Sequence, residues 1–319
     1  MIGETIAKNL IERFNPKSVL FCPYKEEMWD SMQTIYETFK NKFPEIETDI
    51  MPMAYYELAN KRITNMKIEF PSYKENFPLR LCREAREDEV YNGWDIIFFH
   101  YPYDNLNTLT RPLLYSNELK AFCRHLVLVG YACVGERLPF AQEMSYSGVR
   151  NSDLVIVETE EQAAEGNKLL KGQPNWHGEV VGWGSAKYDM VDLANIPDEW
   201  KEKAEGRRKV FLQTSIVPYM RNKNKIEQIE NIIDNYLKNP KVCLIWRPHP
   251  LYRTTIISQG RHELYRYSLL VKKIQNSPKD IFDDTKTPEN AIKFADEMIS
   301  DPSSLVHLWK TTGKKLTEI

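Results

Sequence analysis

The chain has 319 residues, which is long for one domain and favours two. Hydrophobic residues make up 42% of it, enough for two sizeable cores, and its formal net charge is −2. Because this balance gives no overall basic field, we expect no nucleic-acid partner, and any anion-binding site has to be local.

The cysteines and the termini indicate the compartment. Five widely spaced cysteines include no C-x-x-C pair: Cys22, Cys82, Cys123, Cys133 and Cys243. We expect reduced core residues of a cytoplasmic protein, and no metal or cofactor is implied, since no H-x-x-x-H or carboxylate cluster is seen. No secretory signal opens the chain, and the longest apolar stretch, 126–134, is far shorter than the roughly 20 residues of a membrane span. Any membrane contact is expected to be peripheral, at the inner face.

The first half alternates short apolar strands with amphipathic helices. The predicted elements, in chain order, are helix 2–13, strand 18–22, helix 26–42, strand 49–56, a hairpin or insertion at 61–70, helix 84–90, strand 95–99, strand 125–129, helix 139–148, strand 153–157, helix 158–170 and strand 180–184. Such alternation, with nearly continuous apolar strands, predicts a parallel, doubly wound sheet.

The second half repeats this pattern after a polar stretch. Residues 185–207 are the predicted interdomain connection between a domain at 1–184 and a domain at 208–319. The predicted strands are 209–212, 241–246, 280–282 and 297–301, and the predicted helices are 224–237, 261–275 and one that starts with Thr287 as N-cap and Pro288 in the first turn. The expected fold class is α/β, with two Rossmann-like doubly wound domains that face a central cleft.

The strand 241–246 stops at a cation, a histidine and two prolines. Pro248 and Pro250 stiffen the backbone on both sides of His249. Ligands of open parallel sheets bind at the carboxyl ends of the strands, so Arg247 and His249 are candidate catalytic residues. Arginine suits bidentate phosphate contacts, and histidine can supply charge or move a proton. A turn whose histidine only bonds locally explains the stretch equally well.

A second candidate lies where the strand 297–301 ends. We expect Ser300 or Asp301 to be the N-cap of a helix with Pro302 in its first turn. The N–H groups near Ser303 and Ser304 would then be available to a phosphate. Ordinary capping explains one such side chain but gives no reason for two hydroxyls after a proline.

Thr214 and Ser215 end the first strand of the same domain. Three strand ends would then present hydroxyls, Arg247 with His249, and a helix start to one edge, which describes a pyrophosphate site. A dinucleotide oxidoreductase is not indicated, since no G-x-G-x-x-G follows a strand, and 311–315 lacks the full pattern of a phosphate loop.

Short motifs in both halves are the most distinctive features. The more specific ones are Arg247-Pro248-His249-Pro250 and Ser300-Asp301 with Ser303-Ser304 and Thr312-Gly313-Lys314; the weaker ones are 21–25 with 28–31, and His100 with 102–104. In these residues the chain resembles the CDP-glycerol glycerophosphotransferase family, the teichoic-acid polymerase-like enzymes. The resemblance touches most of the chain. It implies a GT-B architecture and transfer of an alcohol phosphate from a CDP-linked donor to a hydroxyl of a glycan or lipid-linked acceptor, with release of CMP.

The resemblance also implies roles for individual residues. The donor pyrophosphate would face His249, Asp301, Ser303 and Ser304. The expected acceptor-side residues are Lys25, Tyr103, Asp104 and Tyr131. Family members carry a Trp-His-Gly segment that supplies a base where this chain has Gly130-Tyr131-Ala132. Independently of the resemblance, the expected base is His100, because it ends the clearest strand of the first half, at the edge where ligands bind, and has an ordinary pKa near 6.5. It does not lie where the Trp-His-Gly histidine would fall. A GT-B glycosyltransferase that uses a nucleotide sugar, and a catalytically silent nucleotide-binding partner of an assembly complex, remain alternatives.

Overall fold

A computed structural model of the chain describes residues 1–59, 62–68, 93–106, 111–131, 139–174, 176–222, 224–258, 263–285 and 287–319. These residues form two compact units, an N-terminal unit, Met1–Met190, and a C-terminal unit, Val191–Ile319. The division falls within 185–207, for which a connection was predicted, and the predicted helix 84–90 lies outside the described residues. No helix of the described ranges is long and apolar enough to cross a membrane.

The N-terminal unit is built on a six-stranded, wholly parallel sheet. The strands of this unit are β1 (Ser18–Cys22), β2 (Glu47–Ile50), β3 (Tyr55–Ala59), β4 (Arg62–Lys67), β5 (Trp94–Phe99), β6 (Cys123–Val129), β7 (Leu154–Ile156) and β8 (Glu179–Val181). The sheet runs in the order β2-β1-β5-β6-β7-β8, and β3 and β4 form a separate antiparallel hairpin. Alternate residues of β1 join two different cores, Val19 and Phe21 on one face and Leu20 and Cys22 on the other. Burial on both faces explains why the strands are apolar throughout.

Helices cover both faces of this sheet. They are α1 (Ile2–Phe14), α2 (Gln33–Lys42), α3 (Ser116–Ala121), α4 (Phe140–Glu143), α5 (Ser147–Asn151) and α6 (Glu160–Leu170), with 3-10 turns at Glu26–Ser31, Asp104–Leu106, Pro112–Leu114 and Ala186–Tyr188. The chain passes from one unit to the other within α7 (Asp189–Leu193). The single helix predicted at 26–42 is wrong, because a 3-10 turn precedes α2. The Ser31 hydroxyl donates to the Met28 carbonyl at 2.9 Å and so competes with regular helical bonding there.

The start of α1 is held by the carboxylate of Asp189, which lies near the C-terminal end of the same unit in the sequence. Asp189 accepts the backbone N–H groups of Ile2 at 2.7 Å and Gly3 at 2.8 Å, and the Thr34 hydroxyl at 2.9 Å. A Cβ on Gly3 would lie 2.1 Å from the Thr34 hydroxyl oxygen, so only glycine fits. Asp189 thus satisfies two amides that the helix itself leaves without acceptors.

The C-terminal unit has a five-stranded parallel sheet. Its strands are β9 (Arg208–Thr214), β10 (Val242–Pro248), β11 (Ile281–Phe282), β12 (Glu297–Ser300) and β13 (Lys315–Glu318), and its helices are α8 (Asp198–Ala204), α9 (Ile216–Arg221), α10 (Lys225–Leu237), α11 (Tyr252–Ser258), α12 (Glu263–Gln275), α13 (Glu289–Phe294) and α14 (Ser304–Lys310). The order β11-β10-β9-β12-β13 reverses direction between β9 and β12, the topological switch point at which such sheets bind ligands. The predicted α/β class with two Rossmann-like sheets is confirmed.

Two predicted helix starts are corrected. Ser300 and Asp301 do not cap α14, since Ser300 still pairs with Gln213 and Glu318 in the sheet, and the N-cap is Ser303. The N-cap of α13 is Pro288 and not Thr287, because the Pro288 carbonyl accepts the first helical hydrogen bond, from Ile292 at 3.0 Å. The described cysteines are buried free thiols, as predicted: Cys22, Cys123 and Cys243.

Candidate functional site

A buried cluster of hydroxyls surrounds Gln213 at the switch point of the C-terminal unit. The Gln213 side-chain oxygen accepts hydrogen bonds from Ser300 at 2.7 Å and Ser303 at 3.2 Å. Its amide nitrogen donates to the Ser215 hydroxyl at 3.1 Å. One amide therefore orients hydroxyls from the ends of both β9 and β12. Gln213 was not among the predicted site residues; its only signal in the sequence is an amide inside an otherwise apolar strand end.

A buried ion pair supports this cluster from behind. The Asp301 carboxylate is 0% exposed, accepts the Ser215 N–H at 2.8 Å, and pairs with the ammonium of Lys225, which is 4% exposed. Lys225 is the first residue of α10. Because this helix is rich in charged residues, the sequence did not indicate that one of its lysines is buried. The nearby Tyr252 hydroxyl is buried, and this burial, with the charge of Asp301, raises the pKa of Tyr252. Asp301 is therefore shielded from water, and loss of Lys225 would leave its charge buried without a cation.

Arg247 ends β10 and already has partners inside the protein. Its guanidinium lies 3.0 Å from the Asp283 carboxylate and donates to the Thr285 hydroxyl at 3.1 Å. The side chain is almost fully buried, so it ties the end of β10 to the residues that follow β11. Its predicted contact with a donor phosphate stays a prediction, and would require the guanidinium to serve Asp283 and the phosphate together.

His249 is held by two backbone contacts and is partly exposed. Its own N–H donates to the Thr214 carbonyl at 2.9 Å, and its Nδ1 accepts the Leu251 N–H at 3.2 Å. Because Nδ1 is the acceptor, the proton of the neutral ring is on Nε2. The structure thus places the His249 imidazole at the carboxyl edge of the sheet, and its expected contact with the donor pyrophosphate stays a prediction.

Thr214 and Ser304 were also predicted to contact the donor. The Thr214 hydroxyl is fully buried and accepts the Trp246 indole N–H at 3.3 Å, so it belongs to the core and does not face the edge. The expectation of a ligand contact from Thr214 is corrected accordingly. Ser304 is the first residue of α14, and its side chain lies outside what the structure describes.

The geometry of His100 argues against its predicted role as a base. The ring is 0% exposed, and its Nε2 accepts the Tyr24 N–H at 2.8 Å. Its Nδ1 lies 3.1 Å from the hydroxyl of Ser31, which itself donates to the Met28 carbonyl. Burial, followed by the charge of Lys187, lowers the pKa of His100 to about 3. With its lone pair occupied, His100 joins the ends of β1 and β5 and is not placed to take a proton.

The remaining acceptor-side candidates have three different surroundings. Asp104 is buried and accepts both the N–H and the hydroxyl of Ser116, at 2.8 and 2.5 Å, so it holds the start of α3. The hydroxyls of Tyr103 and Tyr131 lie 3.0 Å apart, so these two predicted residues do meet. The Lys25 ammonium lies 5.5 Å from the centre of the Tyr55 ring.

Comparisons with known proteins bear on the fold. No family model matches the chain, and no curated protein matches it. Among solved structures, it is similar to S. aureus MnaA bound to UDP (12% identity, 94% of this chain and 78% of that one, TM-score 0.54). It is also similar to the UDP-GlcNAc 2-epimerase of Methanocaldococcus jannaschii (13%, 94% and 83%, 0.52) and to the wall teichoic acid polymerase TagF (12%, 98% and 73%, 0.51). Identities this low show a shared fold, that of the GT-B enzymes.

Proposed function

We propose that this chain is a phosphotransferase of the CDP-glycerol glycerophosphotransferase type. It moves glycerol phosphate or a similar polyol phosphate from a CDP-linked donor to a hydroxyl acceptor and releases CMP. The observation that carries the proposal is the hydroxyl cluster around Gln213 at the switch point, with the imidazole of His249 after the neighbouring strand end. We further propose that a glycan or lipid-linked acceptor is met in the cytoplasm, at the inner face of the membrane.

In this proposal the donor pyrophosphate contacts the partly exposed Ser303 and His249. Gln213 and the Lys225–Asp301 pair keep these contacts in place, since each is buried and fully engaged within the protein. Lys225 and Arg247, the buried cations that the structure describes at this edge, are already paired with carboxylates, so in this proposal the described groups that contact the phosphates are hydroxyls and an imidazole.

The transfer step needs stabilisation of the leaving group above all. The acceptor oxygen bonds to the phosphorus of the polyol phosphate as the bond from that phosphorus to the bridging oxygen breaks, and the electron pair leaves with CMP. A hydrogen bond from Nε2 of His249 to the bridging oxygen is strongest when negative charge has built up there. The acceptor proton passes to a group other than His100, because its lone pair is occupied. A loose transition state makes a modest demand on that base.

A second candidate function is an enzyme that acts on a nucleotide sugar. It is supported by the likeness to MnaA, whose structure contains UDP, and to an epimerase solved with UDP-GlcNAc and UDP. The polymerase TagF supports the first candidate in the same way, at a similar TM-score. The fold therefore does not rank the two, and the motif resemblance favours the first.

A nucleotide screen by thermal shift tests the proposal. A ligand that binds only the folded protein stabilises it by about 2.7 kcal/mol at a hundred times its Kd. We expect CDP-glycerol, CDP-ribitol and CMP to raise the melting temperature more than UDP or UDP-GlcNAc at equal concentration. Stronger stabilisation by UDP-GlcNAc would replace the first function by the second.

A further inference from the structure

One peptide group at the end of β9 is bound from both sides. It joins Thr214 to Ser215. Its N–H, from Ser215, donates to the Asp301 carboxylate at 2.8 Å, and its C=O, from Thr214, accepts the N–H of His249 at 2.9 Å. Since β9 lies between β10 and β12 in the sheet, this peptide connects the residues that follow its two neighbours. Asp301 and His249 are therefore linked through a single planar group.

A side chain, and not the backbone, makes the last bond between β12 and β9. The two strands pair up to Ser300 and Gln213, and the Asp301 N–H still donates to the Gln213 carbonyl at 3.3 Å. The next N–H that faces β12, that of Ser215, meets the Asp301 carboxylate. A hydrogen bond to a charged acceptor is roughly twice as strong as one between neutral groups. The position of the Thr214–Ser215 peptide thus depends on one side chain that a substitution can remove.

The carboxylate of Asp301 acts on its neighbours from inside the protein. It is 0% exposed and pairs with the Lys225 ammonium, which is 4% exposed, so it is not placed to touch a ligand. An N–H that binds a charge also polarises its own peptide, and the carbonyl of that peptide becomes a better acceptor. The same carboxylate therefore strengthens the bond that the Thr214 carbonyl accepts from His249.

His249 depends on this bond because of its two proline neighbours. Pro248 and Pro250 have no backbone N–H, so the amide of His249 is the backbone donor of 248–250. The other bonds of His249 are local: its Nδ1 accepts the Leu251 N–H, and its carbonyl accepts the Tyr252 N–H at 2.8 Å. These contacts fix the ring within its own segment, and the bond to Thr214 fixes the segment to β9 beyond the end of β10.

We propose that Asp301 is a positioning residue, which holds His249 in place through the Thr214–Ser215 peptide. The reacting role of His249 rests on the proposed function, whereas its placement by Asp301 does not. In this proposal Asp301 acts on the donor through His249 and not by contact, and Lys225 contributes by keeping the carboxylate in place. A misplacement of 1 Å can cost about 100-fold in rate, so the link matters for turnover.

Two double variants separate the charge of Asp301 from its hydrogen bond. Lys225→Met with Asp301→Asn keeps an oxygen for the Ser215 N–H, whereas Lys225→Met with Asp301→Leu has a side chain of similar size without one, and neither contains the ion pair. Amide hydrogen exchange is measured by NMR without any ligand. The amides of Ser215 and His249 should both exchange about tenfold faster in the leucine variant than in the asparagine variant.

The same two variants test the consequence for transfer from CDP-glycerol. The leucine variant should have a kcat about 10- to 100-fold lower than the asparagine variant, with an equal KM for CDP-glycerol, since the leaving group is stabilised only in the transition state. Adding His249→Ala to both should abolish the difference in kcat, because the effect of Asp301 passes through His249.

A second buried pair provides the matched control. The Asp280 carboxylate pairs with Lys279 and accepts the Leu244 N–H at 2.7 Å, in the first half of β10. Lys279→Met with Asp280→Asn and Lys279→Met with Asp280→Leu should give equal kcat values and equal exchange of the His249 amide. If the leucine variant at Asp301 does not fold, the asparagine variant is compared with the unmodified protein, and its weaker, neutral acceptor should speed up exchange at Ser215 and His249 together.

Three results would overturn the proposal. They are equal exchange of the His249 amide with and without an acceptor at position 301, a difference in kcat that persists in the His249→Ala background, or a rise in KM alone, which would make Asp301 a donor contact. If the unmodified protein transfers nothing from CDP-glycerol, the proposed function fails, and exchange of the His249 amide still decides whether Asp301 holds this residue.

Discussion

The two units carry the same kind of parallel sheet but opposite chemistry at its carboxyl edge. In the C-terminal unit this edge is ionic and hydroxylic, with Gln213 at its centre and the Lys225–Asp301 and Arg247–Asp283 pairs around it. In the N-terminal unit it is aromatic, and its histidine, His100, is buried and neutral. The sheet therefore decides where a ligand is met, and the residues that follow each strand decide which ligand.

The contrast extends to how each edge is stabilised. A buried ion pair gains little over an apolar core as long as it is intact, but it is costly to break, because the remaining charge has no partner. An aromatic cluster loses contacts more gradually when one ring is removed. A substitution that breaks a buried ion pair should thus cost more than one that removes a single hydrogen bond or a partly exposed ring, and the four predictions below run from the largest expected effect to the smallest.

Lys225→Met should destabilise the protein by about 3–5 kcal/mol, because it leaves the Asp301 carboxylate buried without its cation. The measurement is the free energy of unfolding in urea. Lys201→Met is the matched control, since the Lys201–Asp198 pair is 55% and 89% exposed, is screened by water, and should change the free energy of unfolding far less. Equal effects of the two substitutions would contradict the expected difference between a buried and an exposed ion pair. If stability is partly recovered in the double variant Lys225→Met with Asp301→Asn, the cost is due to the unpaired Asp301 charge.

His249→Ala should lower turnover at least about 100-fold, or about 2.7 kcal/mol, because it removes the proposed donor to the leaving oxygen. Stability should change by about 1 kcal/mol, since the ring is partly exposed and its bond from the Leu251 N–H is an ordinary hydrogen bond between neutral groups. Steady-state transfer rates and urea unfolding measure the two effects. His177→Ala, at an exposed histidine of the N-terminal unit, serves as control. A normal rate in His249→Ala would remove this residue from the reaction.

Acid should destabilise the protein through His100. The pKa of this residue is about 3 in the folded state against 6.5 for the ordinary side chain, so below pH 6.5 the unfolded chain binds a proton that the folded chain does not. Its contribution is fully present above pH 6.5 and is lost as the pH falls towards 3, by about 2 kcal/mol between pH 7 and pH 5.

The measurement for His100 is the pH dependence of the free energy of unfolding, compared with that of His100→Asn. Between pH 7 and pH 5 the free energy of unfolding of the variant should fall by about 2 kcal/mol less than that of the unmodified protein. Burial also lowers the pKa values of His125 and His307, and both remain in the variant, so the difference isolates His100. Identical slopes would mean that its ring is not buried as described.

Ser303→Ala should have the smallest effect, about 1 kcal/mol on unfolding, because Gln213 keeps its shorter bond from Ser300. We also expect it to reduce the thermal shift caused by CDP-glycerol. Ser268→Ala removes a hydroxyl that donates to the Leu264 carbonyl in α12 and should leave that shift unchanged. If the two variants respond alike to the nucleotide, Ser303 does not contact the donor.

The features that were predicted from the sequence are those that depend only on residues close together in the chain. The apolar run that became β10, and the positions of Arg247 and His249 at its end, depend on neighbouring residues and were predicted. The choice between Thr214 and Gln213 depends on strand alternation, which turns Thr214 towards Trp246 and Gln213 towards β12. A hydroxyl was expected at the edge, and the amide one residue earlier is what the fold presents there.

Other features could not be predicted because their causes are tertiary. Lys225 is buried only because Asp301, 76 positions later, turns inward to meet it. The lone pair of His100 is occupied by an amide that follows a different strand. The edge strand β13 is mostly exposed, so it has no apolar pattern by which to be found.

The contact between Asp189 and the start of α1 also has a consequence during synthesis. It joins residues 187 positions apart, and chains grow at about 5–20 residues per second, so the first helix waits roughly 10 to 40 s for its carboxylate. Until then the amides of Ile2 and Gly3 have only water as a partner. The start of α1 is thus fixed later than the sheet strands that come before Asp189 in the chain, and a nascent chain stalled before Asp189 keeps these two amides in water.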